Sequence, residues 1–105
     1  MRLRYTPQSR QDLWELKEYI SVELSNPSAA ENIVSGILKS CAKLKDQPGM
    51  GIRLAQKTGR DTELLYIVTG KHLVFYRIEK NDILIIRILD SRTNYLKVLF
   101  RKEEQ

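Results

Sequence analysis

Apolar residues recur along this chain with two different periods, and the change of period divides it. Leu3 and Tyr5 alternate with Arg2 and Arg4, a period of two that predicts a short strand with one face inward. Thr6-Pro7 ends it, with Thr6 placed to accept an orphan helix N–H and Pro7 placed where its missing donor is not needed. Leu13, Leu16, Ile20 and Leu24 then follow at helical spacing, and Trp14 and Tyr19 widen the stripe. Ser25-Asn26-Pro27 repeats the same punctuation before a second helix carrying Ala30, Ile33, Ile37, Cys41 and Leu44 on one face. Asp46-Gln47-Pro48-Gly49 closes this helical hairpin. From Met50 to Asp61 the pattern disappears and predicts a loop.

From Glu63 to Asp90 the period returns to two, within a stretch that runs on to Phe100. Thr69-Gly70-Lys71 and Lys80-Asn81-Asp82 are turn signals that cut this stretch into three runs, a meander too tightly connected for parallel neighbours. In the middle run His72, Val74, Tyr76 and Ile78 share one face, while Lys71, Leu73, Phe75 and Arg77 share the other. Both faces are therefore apolar. One suits the helical hairpin, and the other predicts an exposed apolar patch rimmed by Arg and Lys, a docking surface built on Lys71, Leu73, Phe75 and Arg77. Arg87 stands among Ile85, Ile86, Ile88 and Leu89, where its tip needs a partner: an ion pair with Glu63 or Asp90, or a ligand. Arg92 follows the last strand, where functional groups and solvated charges both occur. Tyr95, Leu96, Leu99 and Phe100 have helical spacing and read as an anchor for the chain end. The expected fold is α+β over residues 1–105 as one domain: an N-terminal strand, a helical hairpin packed on a mostly antiparallel four-stranded sheet, and a short C-terminal helical segment.

Composition narrows the function without naming it. A formal net charge of +5 favours an acidic partner, either a nucleic acid or an acidic protein. The single cysteine, Cys41, has no intrachain partner, and with one histidine there is no cluster of soft ligands, so no metal and no cofactor are expected. Cys41 lies on a core stripe and reads as a packing thiol. His72 titrates near neutrality, yet no nucleophile and carboxylate are spaced around it as an acid–base site requires. No apolar run is long enough for a signal peptide or a membrane span, so a cytoplasmic protein is expected.

Three stretches near the end, Gly70 to Ile78 (GKHLVFYRI), Ile83 to Arg92 (ILIIRILDSR) and Asn94 to Phe100 (NYLKVLF), resemble the RelE/ParE toxins of bacterial type II toxin–antitoxin systems. Tyr5 to Ile20, Asn26 to Val34 and the Leu44 to Gly51 helix end are similar to the opening of that family, so the resemblance covers nearly the whole chain. It implies a toxin that arrests growth, held as a hetero-oligomer by a cognate antitoxin from the adjacent gene that wraps it with helices and extended segments.

Within the family the resemblance divides. RelE-type toxins are ribosome-dependent mRNA endonucleases that need cationic side chains against a developing phosphorane and a group to activate the 2′-hydroxyl. Their lysines match a strand where this chain has Glu63, Leu64, Leu65 and Tyr66, and Leu73 stands where an arginine is found. Arg92 alone matches a catalytic arginine of that branch. ParE-type toxins poison DNA gyrase by binding and require no such set; their usual strand ending appears here as Leu89-Asp90-Ser91-Arg92. The leading expectation is thus non-catalytic inhibition of gyrase or another central target. The alternatives are an mRNA endonuclease centred on Arg92 and a degenerate toxin that only binds its antitoxin. Lys71, Leu73, Phe75, Arg77, Arg87, Arg92 and Tyr95 are the candidate target- or antitoxin-binding residues.

Overall fold

The computed structural model describes residues 1–100. Strand β1 (Arg2–Tyr5) leads into helix α1 (Pro7–Glu18), followed by a π-helical turn over Tyr19–Glu23 and by helix α2 (Pro27–Lys43). A short strand β2 (Ile52–Arg53) and helix α3 (Leu54–Thr58) precede the meander of β3 (Leu65–Thr69), β4 (His72–Glu79) and β5 (Asp82–Asp90), and α4 (Tyr95–Leu99) ends the described chain. The sheet has five strands in the order β1-β5-β4-β3-β2, all antiparallel except the β1–β5 pair. The fifth strand, β2, lies within the stretch expected to be a loop. Two residues are too few to show a period, and pairing with Tyr66 and Leu65 is what makes them a strand.

The helix starts follow from their caps. Thr6 Oγ1 accepts from the Ser9 N–H at 3.0 Å and Asn26 Oδ1 from the Ala29 N–H at 3.1 Å, each followed by proline in the first turn. The expected stripe of α1 is only partly realised. Leu13 and Leu16 are half-buried and Ile20 is buried, but Trp14, Tyr19 and Leu24 are exposed. The π-turn, with Leu24 N–H donating to the Tyr19 carbonyl at 3.1 Å, adds a residue to the turn and carries Leu24 out of the register that Ile20 keeps, while Trp14 lies before it on the exposed side of α1. On α2, Ala30, Ile37 and Cys41 are buried as expected, whereas Ile33 is 37% exposed.

Two cores flank the sheet. Ile37, Cys41 and Leu44 from the hairpin pack on Ile67, Val74, Tyr76, Ile83, Ile85 and Ile88. At roughly 1.5–3 kcal/mol for each large apolar side chain removed from water, this cluster supplies most of the driving force that fixes the hairpin on the sheet. On the other face Leu54, Tyr66, Leu73, Phe75 and Leu89 form a second cluster, with Leu64, Tyr95, Leu99 and Phe100 packed against it. The patch expected to be exposed is therefore covered by α3 and α4. Leu73 and Phe75, expected at a docking surface, are core residues, because Leu54 of α3 and Tyr95 and Leu99 of α4 pack on the face they occupy.

The β4–β5 ladder carries a bulge between Phe75 and Tyr76, leaving Ile86 as the extra residue on β5. Ile83, Ile85 and Ile88 thereby share the hairpin side despite their uneven spacing. Among the described residues no helix is long and apolar enough to cross a membrane.

Candidate partner-binding groove

Strand β1 ends at Tyr5, four residues into its pairing with β5, so the outer edge of β5 beyond Ile85 needs other partners. Helix α1 supplies them. Thr6 Oγ1 donates to the Ile86 carbonyl at 3.0 Å, and Asp12 Oδ2 accepts from the Ile88 N–H at 2.9 Å. This explains why α1 buries a carboxylate: Asp12 faces a sheet edge, not a core, while the buried Ser9 donates through Oγ to the Thr6 carbonyl at 2.9 Å. The same Asp12 carboxylate receives Arg87 through two parallel bonds, Nε to Oδ2 at 2.8 Å and Nη2 to Oδ1 at 2.9 Å. The bond to Asp12 raises the Arg87 guanidinium above its ordinary value against the opposing effect of burial. Asp12 is thus the partner of Arg87, in place of Glu63 or Asp90, the candidates nearer in the sequence.

Beyond this clamp, α1, the π-turn, the start of α2, the β5 end and α4 enclose a groove of about 690 Å³. Tyr19, Leu24, Ile33 and Val98 line it with large apolar side chains, each at least 36% exposed. Lys71, His72, Arg87 and Arg92 line it as well, with Asp12, Glu15 and Asp90. Its charges are largely closed among themselves. Arg92 grips Asp90 through Nε at 3.0 Å and Nη2 at 3.1 Å, and its own N–H donates to the same carboxylate at 2.8 Å. These bonds hold the Asp90 carboxyl down at about 2. Burial lowers the His72 imidazole below its ordinary value, the attraction of Asp90 being opposed by Arg92. Such a site offers apolar area and oriented side chains, with a neutral imidazole at neutral pH and both arginines committed to carboxylates.

Of the residues expected to bind a partner, Lys71, Arg87 and Arg92 come together here. Tyr95 does not: its ring stacks on Phe75 with centroids 5.4 Å apart, inside the second core. Arg77 lies at the far end of β4, paired with Glu79 at 2.9 Å. Asp12 and Glu15 gave no signal in the sequence, since an acidic residue on a helix is ordinarily solvated. Leu24 and Ile33 were assigned to the core by their spacing, and the structure places both on the groove instead, Leu24 directly after the π-turn.

An α+β domain with an apolar, charge-closed groove has the make-up of a protein-binding module. Residues 3–95 match the family described as the ParE toxin of the type II toxin–antitoxin system, parDE, and the chain belongs to that family. It is therefore the toxin component of such a system, whose partner is an antitoxin. No curated protein sequence matches it. A solved structure described as the chromosomal ParDE TA system from P. aeruginosa is similar in fold, with a TM-score of 0.70 at 20% identity, covering 86% of this chain and 95% of that one.

Proposed function

We propose that this toxin arrests growth by binding DNA gyrase without chemistry of its own, and that its cognate antitoxin neutralises it by filling the groove with an apolar segment. The observation that carries this reading is the closure of charge in the groove. Cleaving RNA requires cations directed at the reacting phosphate and a titratable base. Here Arg87 is bonded to Asp12 and Arg92 to Asp90, and Glu63, Leu64, Leu65 and Tyr66 stand where that branch has its lysines. The apolar walls, by contrast, suit the hydrophobic side of an amphipathic segment.

Arg92 is the proposed contact to the target. Its side chain is 85% exposed, and a guanidinium swinging from Asp90 to a carboxylate or phosphate keeps a two-bond geometry throughout. The purified protein is expected to inhibit gyrase supercoiling and to leave mRNA uncut in a reconstituted translation reaction. Arg92→Ala is expected to lose gyrase inhibition while melting within about 0.5 kcal/mol of the parent, as exposed substitutions do. Cleavage of mRNA at the ribosomal A site would reverse the choice of mechanism, and full inhibition by Arg92→Ala would remove Arg92 from it.

A further inference from the structure

At the end of the sheet away from the groove, a second cluster of cations is organised around one carboxylate. Arg2 and Arg4 stand two residues apart on β1 and so point to one face. Asp82, opposite Arg2 on β5, accepts from Arg2 Nε at 3.1 Å, from Arg2 Nη2 at 3.0 Å and from Arg4 Nη1 at 3.0 Å. One carboxylate thus fixes two guanidiniums without neutralising both. Each guanidinium has five N–H donors, so most remain unspent on side chains that are 73% and 55% exposed. Lys80 adds a third cation from the adjacent hairpin loop, where its φ of 48° is unusual for a residue with a side chain. Glu79, the other carboxylate nearby, is already bonded to Arg77.

Arg2, Arg4, Glu79, Lys80, Asn81 and Asp82 line an open cleft of about 430 Å³. All six side chains are polar or charged. That lining decides between the two classes of acidic partner. A protein interface is held at its centre by aromatic or aliphatic anchors, and this cleft offers none. A phosphodiester backbone needs only what is present: planar guanidiniums already held in place, an ammonium and an amide. We infer that this end of the sheet is a second interaction surface, separate from the groove, that holds the phosphodiester backbone of a nucleic acid without reading its sequence. Strand β4 joins the two sites, with His72 in the groove and Glu79 in the cleft. At about 3.3 Å per residue its ends are roughly 23 Å apart, so an occupant of one does not block the other.

The inference does not depend on gyrase being the target. It is tested by fluorescence anisotropy of the full chain with a labelled DNA duplex and, in parallel, a labelled single-stranded RNA, at about 50 mM salt, where backbone contacts are strong. Arg2→Gln/Arg4→Gln/Lys80→Gln is expected to weaken binding by about tenfold or more and to reduce the slope of log affinity against log salt by about 3. Lys17→Gln/Lys39→Gln/Lys57→Gln removes the same charge elsewhere and is expected to change affinity by less than about threefold. Circular dichroism melting confirms that both variants are folded. Binding of duplex or RNA through the cleft identifies which nucleic acid it prefers, and either supports the inference. Failure of both to bind, equal losses in the two triple variants, or displacement by polyglutamate as effective as by unlabelled DNA would overturn it.

Discussion

The two faces of the sheet carry similar apolar residues and are covered in different ways. The hairpin face is closed by long helices, with Ile37, Cys41 and Leu44 buried and α1 bonded along the edge of β5. The other face is closed by two five-residue helices and the segments beside them. Helices that short do not hold themselves together in water, so packing and a few local contacts must keep them in place. Arg60 over the Phe100 ring, 4.5 Å from its centroid, is one such contact. The segment leading into α3 is tied instead to the hairpin face: the Gly51 N–H donates at 3.0 Å to Oη of Tyr76, a residue of the first core, and that hydroxyl donates to the Pro48 carbonyl at 2.7 Å. A core of ordinary apolar residues can thus be dominated by helices on one side and by individually placed contacts on the other.

The largest expected effect tests the hairpin face. Asp12→Ala strands the partly buried Arg87 guanidinium and leaves the Ile88 N–H without its acceptor, so a loss of about 4 kcal/mol is expected in urea unfolding. Asp12→Asn keeps an oxygen for Ile88 but not the charge, and its loss is expected to fall between those of Asp12→Ala and the parent. If Asp12→Ala costs less than about 1 kcal/mol, the clamp contributes little beyond an exposed pair, and the contrast between the faces weakens.

Gly51→Ala tests the tie between the hairpin-face Tyr76 and the segment that leads into α3. A Cβ at Gly51 would lie 2.5 Å from Tyr76 Oη, 2.8 Å from Tyr76 Cε1 and 2.9 Å from the Tyr66 carbonyl. The hydroxyl, the ring and the β3 backbone would all have to give way, at about 3 kcal/mol. Hydrogen exchange is expected to rise first at Ile52 and Arg53 and then under α3, with the hairpin amides protected until global unfolding. Uniform loss of protection would show that the two faces unfold as one unit.

The smallest effect is in pH dependence. His72 titrates lower folded than unfolded, because burial disfavours its charged form. The unfolded chain therefore binds more protons, and the stability His72 contributes above its ordinary value of 6.5 is lost as the pH falls through its folded value. Asp90, held at about 2, loses its contribution separately, as the pH falls from about 4 toward 2. His72→Gln is expected to abolish the first decline and leave the second; thermal melts across this range would separate them. A decline near neutrality that survives in His72→Gln would assign it to another group.

The sequence was most legible where structure is local. Thr6 and Asn26 cap the helices they precede, the Thr69-Gly70-Lys71 turn and the Lys80-Asn81 turn divide the meander, and Tyr95, Leu99 and Phe100 do anchor the chain end. The alternation in β4 correctly separated Val74 and Tyr76 from Leu73 and Phe75. What covered the second face was not legible, because α3 arises from five residues without a visible period and is held by tertiary packing. The same limit applied to the groove, since Leu24 belongs to the core stripe until one π-turn displaces it.

The sequence by itself determined the first strand, the helical hairpin and the meander, since caps, turns and periods depend on residues a few positions apart, and the resemblance of its stretches pointed to the family. Only the tertiary structure decided which charges meet. Strict alternation from Ile85 would have carried Arg87 into the first core; the bulge at Ile86 turns it away, and Asp12, 75 positions earlier, receives it. Such a pairing depends on where β1 stops and how α1 crosses the exposed edge of β5. No local rule contains that distance.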